Sequence, residues 1–81
     1  MKYSSESIGR TIAVLRENRE MSQEVLSGLA GIARSHLSVI ENGKKSPSIS
    51  TLSRISEAFG LLLSDLFRIM ESCWADTGSA S

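Results

Sequence analysis

The segment SQEVLSGLAGIARSHLSVIENGKK, residues 22–45, constrains the fold more than any other part of the chain. Apolar residues recur in it every three or four positions on both sides of Gly31, the spacing that places them on one face of a helix. A glycine after such a run supplies the left-handed backbone conformation that ends a helix. The segment therefore predicts two short helices joined by a sharp bend.

The same periodicity continues along the chain and predicts an all-α domain. No segment alternates apolar and polar residues as a strand does. Five helices are predicted, at about residues 6–19, 23–30, 33–42, 48–59 and 63–73. Ser22 and Ser48 are expected N-caps, and Gly43 and Gly60 are expected to end the third and fourth helices. The predicted core comprises the apolar residues on the inner faces: Ile8, Ile12, Leu15, Leu26, Leu29, Ala30, Ile32, Leu37, Ile40, Ile49, Leu52, Ile55, Phe59, Leu66, Phe67 and Met70.

The chain has 81 residues, which is enough for one domain with one modest core. We expect a folded domain over residues 1–74 and a short flexible tail over residues 75–81, because ADTGSAS is small and polar. There is no apolar run of the roughly 20 residues that a membrane helix needs, and the first residues lack the apolar stretch of a signal peptide. The single cysteine, Cys73, cannot form an internal disulfide, so a cytoplasmic location is expected.

The charges are unevenly distributed although the formal net charge is zero. Residues 1–54 carry eight basic and five acidic residues, a net charge of +3, whereas residues 55–81 carry one basic and four acidic residues, a net charge of −3. A local basic surface attracts phosphate even when the whole molecule is neutral. The distribution permits a nucleic-acid partner, and scattered solvated charges are the alternative interpretation.

Two short helices with a glycine turn form a helix-turn-helix, and the sequence resembles the phage-repressor type of this motif, the family of lambda and 434 repressors often called XRE. The resemblance covers about residues 7–70. It rests on Gln23 and Glu24 opening helix 2, Ala30 and Gly31 at the turn, ENGKKSPS after helix 3, Ser48–Leu52 at helix 4 and AFG with DLF before and within helix 5. The resemblance implies a compact five-helix DNA-binding domain with helix 3 in the major groove of double-stranded DNA.

The residues themselves agree with this implication. Once the apolar positions of helix 3 face the core, helical geometry turns its polar positions outward. The predicted base contacts are Ala33, Arg34, Ser35 and Ser38. The predicted phosphate contacts are Arg16, Gln23, His36, Gly43, Lys44 and Lys45. The alternatives are a solvated polar face for helix 3, a simple surface histidine for His36 and an ordinary exposed basic loop for the two lysines.

Arg16 and Glu41 border apolar stripes, where charged groups need partners. The resemblance implies that these two positions pair across helices 1 and 3, so we predict an ion pair that holds helix 3. Three residues depart from the family pattern. Ala33 stands at the N-cap of helix 3, Glu20 replaces the glycine that often ends helix 1, so that the first turn is expected to differ, and Leu62 replaces a polar N-cap of helix 5.

A single recognition helix reads too few base pairs to select one site in a genome. Repressors of this type pair as two-fold dimers that place two helices about 34 Å apart on DNA, so a homodimer on a pseudo-palindromic operator is predicted. The apolar surface of helix 5 is the expected interface: Leu62, Leu63, Leu66, Ile69, Met70 and Trp74. The chain also looks like the controller proteins of restriction–modification systems and like small phage or plasmid repressors.

A protein-interaction module, such as an antitoxin that binds a partner protein with the same fold, is the second hypothesis. An enzyme is the third, and the sequence disfavours it. Cys73 has no evident activating base, and there are no paired carboxylates, phosphate-binding glycine loop or metal-ligand spacing. Neither a metal nor a cofactor is therefore expected.

Overall fold

The computed structural model describes the backbone of residues 4–80 and the side chains of residues 4–72. This part of the chain contains five α-helices and no strand, which confirms the all-α prediction. The helices are α1 (Ser5–Asn18), α2 (Gln23–Ala30), α3 (Arg34–Glu41), α4 (Ile49–Ala58) and α5 (Leu63–Ala80). Helix α5 continues past residue 73, where the sequence pattern placed its end. Within the described residues, no helix combines the length and the apolar character needed to cross a bilayer.

Serine side chains start the first, second and fourth helices. The Oγ of Ser4, Ser22 and Ser48 accepts the N–H of the residue three positions later, at 3.0–3.1 Å, which satisfies an N–H group that has no partner within the helix. Helix α5 begins after Leu62, whose own N–H donates to Asp65 Oδ2 at 3.1 Å. Asp65 thus supplies half of a capping box in place of the missing polar N-cap.

The first four helices all end in a left-handed residue. Gly31, Gly43 and Gly60 have φ of 71°, 74° and 73°, and Glu20 has φ of 54°. The N–H of Glu20 donates to Glu17 O at 3.0 Å and that of Met21 to Arg16 O at 3.0 Å, a Schellman motif. The expectation that the first turn would differ is therefore wrong, because Glu20 adopts the conformation that glycine adopts after the other three helices.

A single core joins all five helices, and α5 packs against α1 and α4. Its buried apolar residues are Ile8, Ile12, Leu26, Ala30, Leu37, Ile40, Leu52, Ile55, Phe59, Leu66 and Met70. Leu29 and Ile49 were predicted in this core, but both are 62% exposed. In α2 the inner face lies between Leu26, Ala30 and the buried Ser27, which turns Leu29 outward; Ile49 is the first residue of α4, where the helix only begins to meet its neighbours.

Candidate nucleic-acid interface

The outward face of α3 is polar. Leu37 and Ile40 are fully buried at 0% exposure and fix the rotation of the helix. Ala33 is the N-cap, with extended backbone angles and no side-chain hydrogen bond to the first turn. The predicted base-contact residues lie on the accessible side, with Ala33, Arg34 and Ser35 exposed and Ser38 half-buried, and the neighbouring His36 is half-buried.

The turn between α2 and α3 is held by its own backbone and by one side chain from α4. The N–H of Gly31 donates to Gly28 O at 3.3 Å and that of Ile32 to Ser27 O at 3.0 Å. Arg54, an exposed residue of α4, donates from Nη1 to Gly31 O at 3.4 Å. The sequence did not single out Arg54, because nothing in its spacing connects it with the turn 23 residues earlier.

A buried hydrogen-bonded network connects α1, α2 and α3. Glu41, whose side chain is 5% exposed, accepts from Arg16 Nε at 2.8 Å and from Arg16 Nη2 at 3.1 Å. Its Oε1 also accepts from Gln23 Nε2 at 2.9 Å. The hydrogen bond to Glu41 is the main cause that raises the pKa of Arg16, followed in the same direction by the charges of Glu41 and Glu17. The guanidinium therefore stays charged, and the ion pair ties the C-terminal end of α3 to the other two helices.

This network restricts the phosphate role predicted for Arg16. Its side chain is 14% exposed, and Nη1 donates to Met21 O at 2.8 Å while the other two nitrogens face Glu41. Three of its five N–H groups are used inside the protein, so Arg16 has a structural role, and the phosphate contact through its remaining donors stays a prediction. Gln23 is half-buried and donates one amide N–H to Glu41. Its second N–H and the N-terminus of α2 are the groups on which the predicted phosphate contact rests.

The loop after α3 presents lysine side chains but not the predicted backbone amides. The N–H of Gly43 donates to Ile40 O at 3.0 Å and that of Lys44 to Val39 O at 3.2 Å. Both amides are used to end α3 in a Schellman motif, so the phosphate contact predicted for Gly43 does not fit. Lys44 and Lys45 are exposed, and their ammonium groups remain as the cations of this loop.

A glycine that the sequence analysis passed over brings α1 against α3. Gly9 is buried within α1, and a Cβ built on it would overlap the carbonyl oxygen of Ile40 and lie 2.9 Å from that of Glu41. Gly43, two residues after Glu41, approaches α1 in the same way, because a Cβ built on it would lie 3.0 Å from the Cα of Glu6. The available signal was a glycine inside a predicted helix. Glycine lowers helix stability, so its presence there often has a packing reason.

The predicted dimer surface of α5 needs correction in two places. Leu66 and Met70 are 0% and 1% exposed, because their side chains face α1 and α4 and complete the monomer core. Leu62 is 70% exposed, whereas Leu63 is half-buried against the core and Ile69 is half-buried. Trp74 lies outside the residues whose side chains are described.

Five helices, with a glycine turn between the second and third and an outward polar face on the third, define a helix-turn-helix domain. Residues 12–66 match the family model described as helix-turn-helix. The chain belongs to this family, of the XRE type that its sequence resembles. Of the residues with described side chains, no group of three or more His, Cys, Asp or Glu is arranged to hold a metal ion.

Proteins similar to this chain are regulators. The HTH-type transcriptional regulator PuuR of Escherichia coli (strain K12) is 37% identical over 59 residues, which cover 73% of this chain and 32% of PuuR; this chain thus spans about a third of that relative. The control protein C.MunI of Mycoplasma sp is 38% identical over 56 residues, covering 69% of this chain and 76% of C.MunI. The crystal structure of the restriction-modification controller protein C.AhdI from Aeromonas hydrophila has a TM-score of 0.73 at 26% identity and covers 76% of this chain and 94% of that one.

Proposed function

We propose that this chain is a sequence-specific DNA-binding regulator of transcription. It binds a pseudo-palindromic operator as a homodimer and places α3 in the major groove. The observation that carries the proposal is the outward face of α3, where Arg34 and Ser35 are exposed while the opposite face of the same helix is fully buried. The names of the similar proteins, a transcriptional regulator, a control protein and a restriction-modification controller protein, support it.

Arg34 is the residue to which we assign most of the sequence discrimination. It is the first residue of α3, the end of a recognition helix that approaches the bases. A guanidinium donates two hydrogen bonds to O6 and N7 of guanine, worth about 1–3 kcal/mol against a wrong base. Ser35 and Ser38 contact several base edges and discriminate less, and the methyl group of Ala33 suits a thymine methyl group.

Phosphate contacts set affinity and register rather than sequence preference. Lys44 and Lys45 follow α3 directly and are exposed, which places two cations at the C-terminal side of the helix. Gln23 lies at the N-terminus of α2, where free N–H groups favour an anion, and His36 borders the outward face. We assign these four residues to the DNA backbone.

A homodimer is part of the proposal because one α3 reads only a few base pairs. Two copies related by a two-fold axis present their α3 helices about 34 Å apart, one turn of DNA. Leu62 at 70% exposure is the most exposed of the large apolar residues on the described surface. Together with the half-buried Leu63 and Ile69 it marks the start of α5 as the contact region.

The experiment selects duplexes from a random library with the wild-type protein and measures their dissociation constants over a range of salt. Arg34→Ala is expected to remove the preference for one base pair per half-site and to leave binding to a shuffled duplex almost unchanged. Lys44→Ala and Lys45→Ala are each expected to weaken binding to all duplexes and to lower the slope of log K against log salt by about one. Arg68→Ala is the matched control, because Arg68 is 79% exposed on α5, a helix that packs mainly against α1 and α4.

The result that contradicts the proposal is selection of no duplex at all, or an equal loss on every sequence for Arg34→Ala. The protein-interaction module then becomes the better hypothesis, since the exposed Leu62 offers a partner protein an apolar contact on the same fold. Analytical ultracentrifugation tests the dimer separately: Leu62→Lys is expected to shift the protein towards the 8.8 kDa monomer and to weaken operator binding.

A further inference from the structure

We propose that Gly9 is a positioning residue of the DNA interface, an inference that rests on the function proposed above. Gly9 lies in α1, and the atoms nearest to a Cβ built on it are backbone atoms of Ile40 and Glu41 rather than the polar side chains of α3. Its lack of a side chain lets the backbone of α1 lie directly against the carbonyl groups of Ile40 and Glu41, at the C-terminal end of α3. The distance between the two helix backbones sets where α3 stands on the surface of the domain.

The geometry leaves no room for the smallest side chain. A Cβ at position 9 would overlap the Ile40 oxygen and lie 2.9 Å from the Glu41 oxygen and 3.0 Å from its carbonyl carbon. These are backbone atoms, which cannot turn away as the end of a flexible side chain does. A methyl group here is therefore accommodated only if α3 moves away from α1 as a unit.

Three contacts with α1 fix this same end of α3. Besides Gly9, the Arg16–Glu41 ion pair lies further along α1, and Gly43 approaches the backbone of Glu6 so closely that a Cβ on it would lie 3.0 Å away. All three act at residues 40–43, whereas the described structure gives the first turn of α3 no side-chain cap. The orientation of the reading end thus depends on how the other end of α3 is seated on α1, in addition to the turn that joins α2 to α3.

A displaced α3 loses base contacts before it loses phosphate contacts. Hydrogen bonds to base edges require a fixed distance and angle, whereas lysine side chains on a loop follow the phosphates through small movements. Gly9→Ala is therefore expected to reduce the ratio of affinities for the selected duplex and a shuffled duplex by about fivefold or more, the discrimination of one good base contact. The salt dependence of binding to the shuffled duplex is expected to stay as in the wild type.

The test compares Gly9→Ala with Leu52→Ala, which removes a core side chain of α4 and destabilises the domain without touching the contact between α1 and α3. Both variants are assayed in trimethylamine N-oxide, which favours the folded state, and circular dichroism measures their helix content. A selective loss of discrimination in Gly9→Ala, with the ratio retained in Leu52→Ala, supports the proposal.

Three outcomes overturn the inference. The first is an unchanged affinity ratio in Gly9→Ala, and the second is an equal reduction of the ratio in both variants. The third is a Gly9→Ala chain that stays unfolded under these conditions. A contact that only positions α3 would leave the remaining helices able to fold. If the wild type itself selects no duplex, the proposed function fails rather than this inference, so the two failures are distinguishable.

Discussion

Replacing Glu41 by glutamine tests the network that holds α3. The carboxylate accepts three hydrogen bonds, from Nε and Nη2 of Arg16 and from Nε2 of Gln23, on two oxygens. A glutamine at position 41 offers one oxygen and one NH₂ group, so an N–H of Arg16 faces another donor whichever way the amide turns. Glu41→Gln also leaves the charge of Arg16 with only the exposed Glu17, 3.9 Å from its Nη2.

The size of the effect follows from burial. The side chains of Arg16 and Glu41 are 14% and 5% exposed, and breaking a buried pair by removing one partner costs about 3–5 kcal/mol. We expect about 3 kcal/mol, the low end of that range, because Arg16 still reaches solvent. An 81-residue chain has a free energy of unfolding of about 4–12 kcal/mol, so Glu41→Gln removes a large part of it and lowers Tm by roughly 12–24 °C.

Urea and thermal unfolding followed by circular dichroism, at one fixed protein concentration, measure the change. Glu17→Gln is the matched control, because Glu17 lies 3.9 Å from Arg16 Nη2 but is 68% exposed, and an exposed pair contributes less than about 1 kcal/mol. In the double variant with Arg16→Met the loss is expected to be smaller than the sum of the two single losses, since the unpaired charge is gone. A loss below about 1 kcal/mol for Glu41→Gln, well under the cost of breaking a buried pair, would refute the reasoning.

Two further predictions concern the ends of helices. Glu20→Gly is expected to raise the free energy of unfolding by about 0.5–1 kcal/mol, because glycine adopts a positive φ without the steric cost of a Cβ. The control Glu17→Gly, inside α1, is expected to lower the free energy of unfolding by about 1 kcal/mol. A lower free energy of unfolding for both variants contradicts the reasoning. Ala33→Ser is expected to raise the free energy of unfolding by about 0.5–2 kcal/mol by capping α3, and Ser22→Ala to lower it by a similar amount by uncapping α2. Urea unfolding measures both changes. No gain from Ala33→Ser would mean that the N–H groups in the first turn of α3 already have partners.

The sequence predicted those parts of the fold that depend on local chemistry. Helix number, the serine N-caps and the glycine ends follow from residue types at fixed spacing, and the structure has them where the pattern places them. The left-handed conformation of Glu20 was not predicted, because glutamate rarely adopts it. The surrounding chain imposes the conformation there. Leu29 was assigned to the core because its spacing fits an apolar stripe, but burial is decided by the neighbouring helices, and these meet Ser27 instead.

The start of α3 was easier to predict from the sequence than its C-terminal end. The outward polar residues at the start of α3, Arg34 foremost, follow from helical geometry once Leu37 faces inward. At the other end, only the Arg16–Glu41 pair was predicted, through the family resemblance. The contacts of Gln23 with Glu41 and of Gly9 with Ile40 were missed, because they join residues far apart in sequence. Backbone amides were also assigned to phosphate from position alone, whereas the structure uses the N–H of Gly43 to end the helix.

The polar network around Glu41 and the contact at Gly9 fix the orientation of α3 more closely than the apolar core does. Helix α3 has eight residues and buries only two side chains fully, Leu37 and Ile40. Two apolar contacts supply hydrophobic free energy, but they are non-directional and leave the helix free to slide or roll by small amounts. Hydrogen bonds to Glu41 have preferred lengths and angles, and the backbone contact at Gly9 sets a minimum separation. If α3 reads base edges, as proposed, such orientation matters as much as stability, and the nearly buried Glu41 at the end of α3 supplies it.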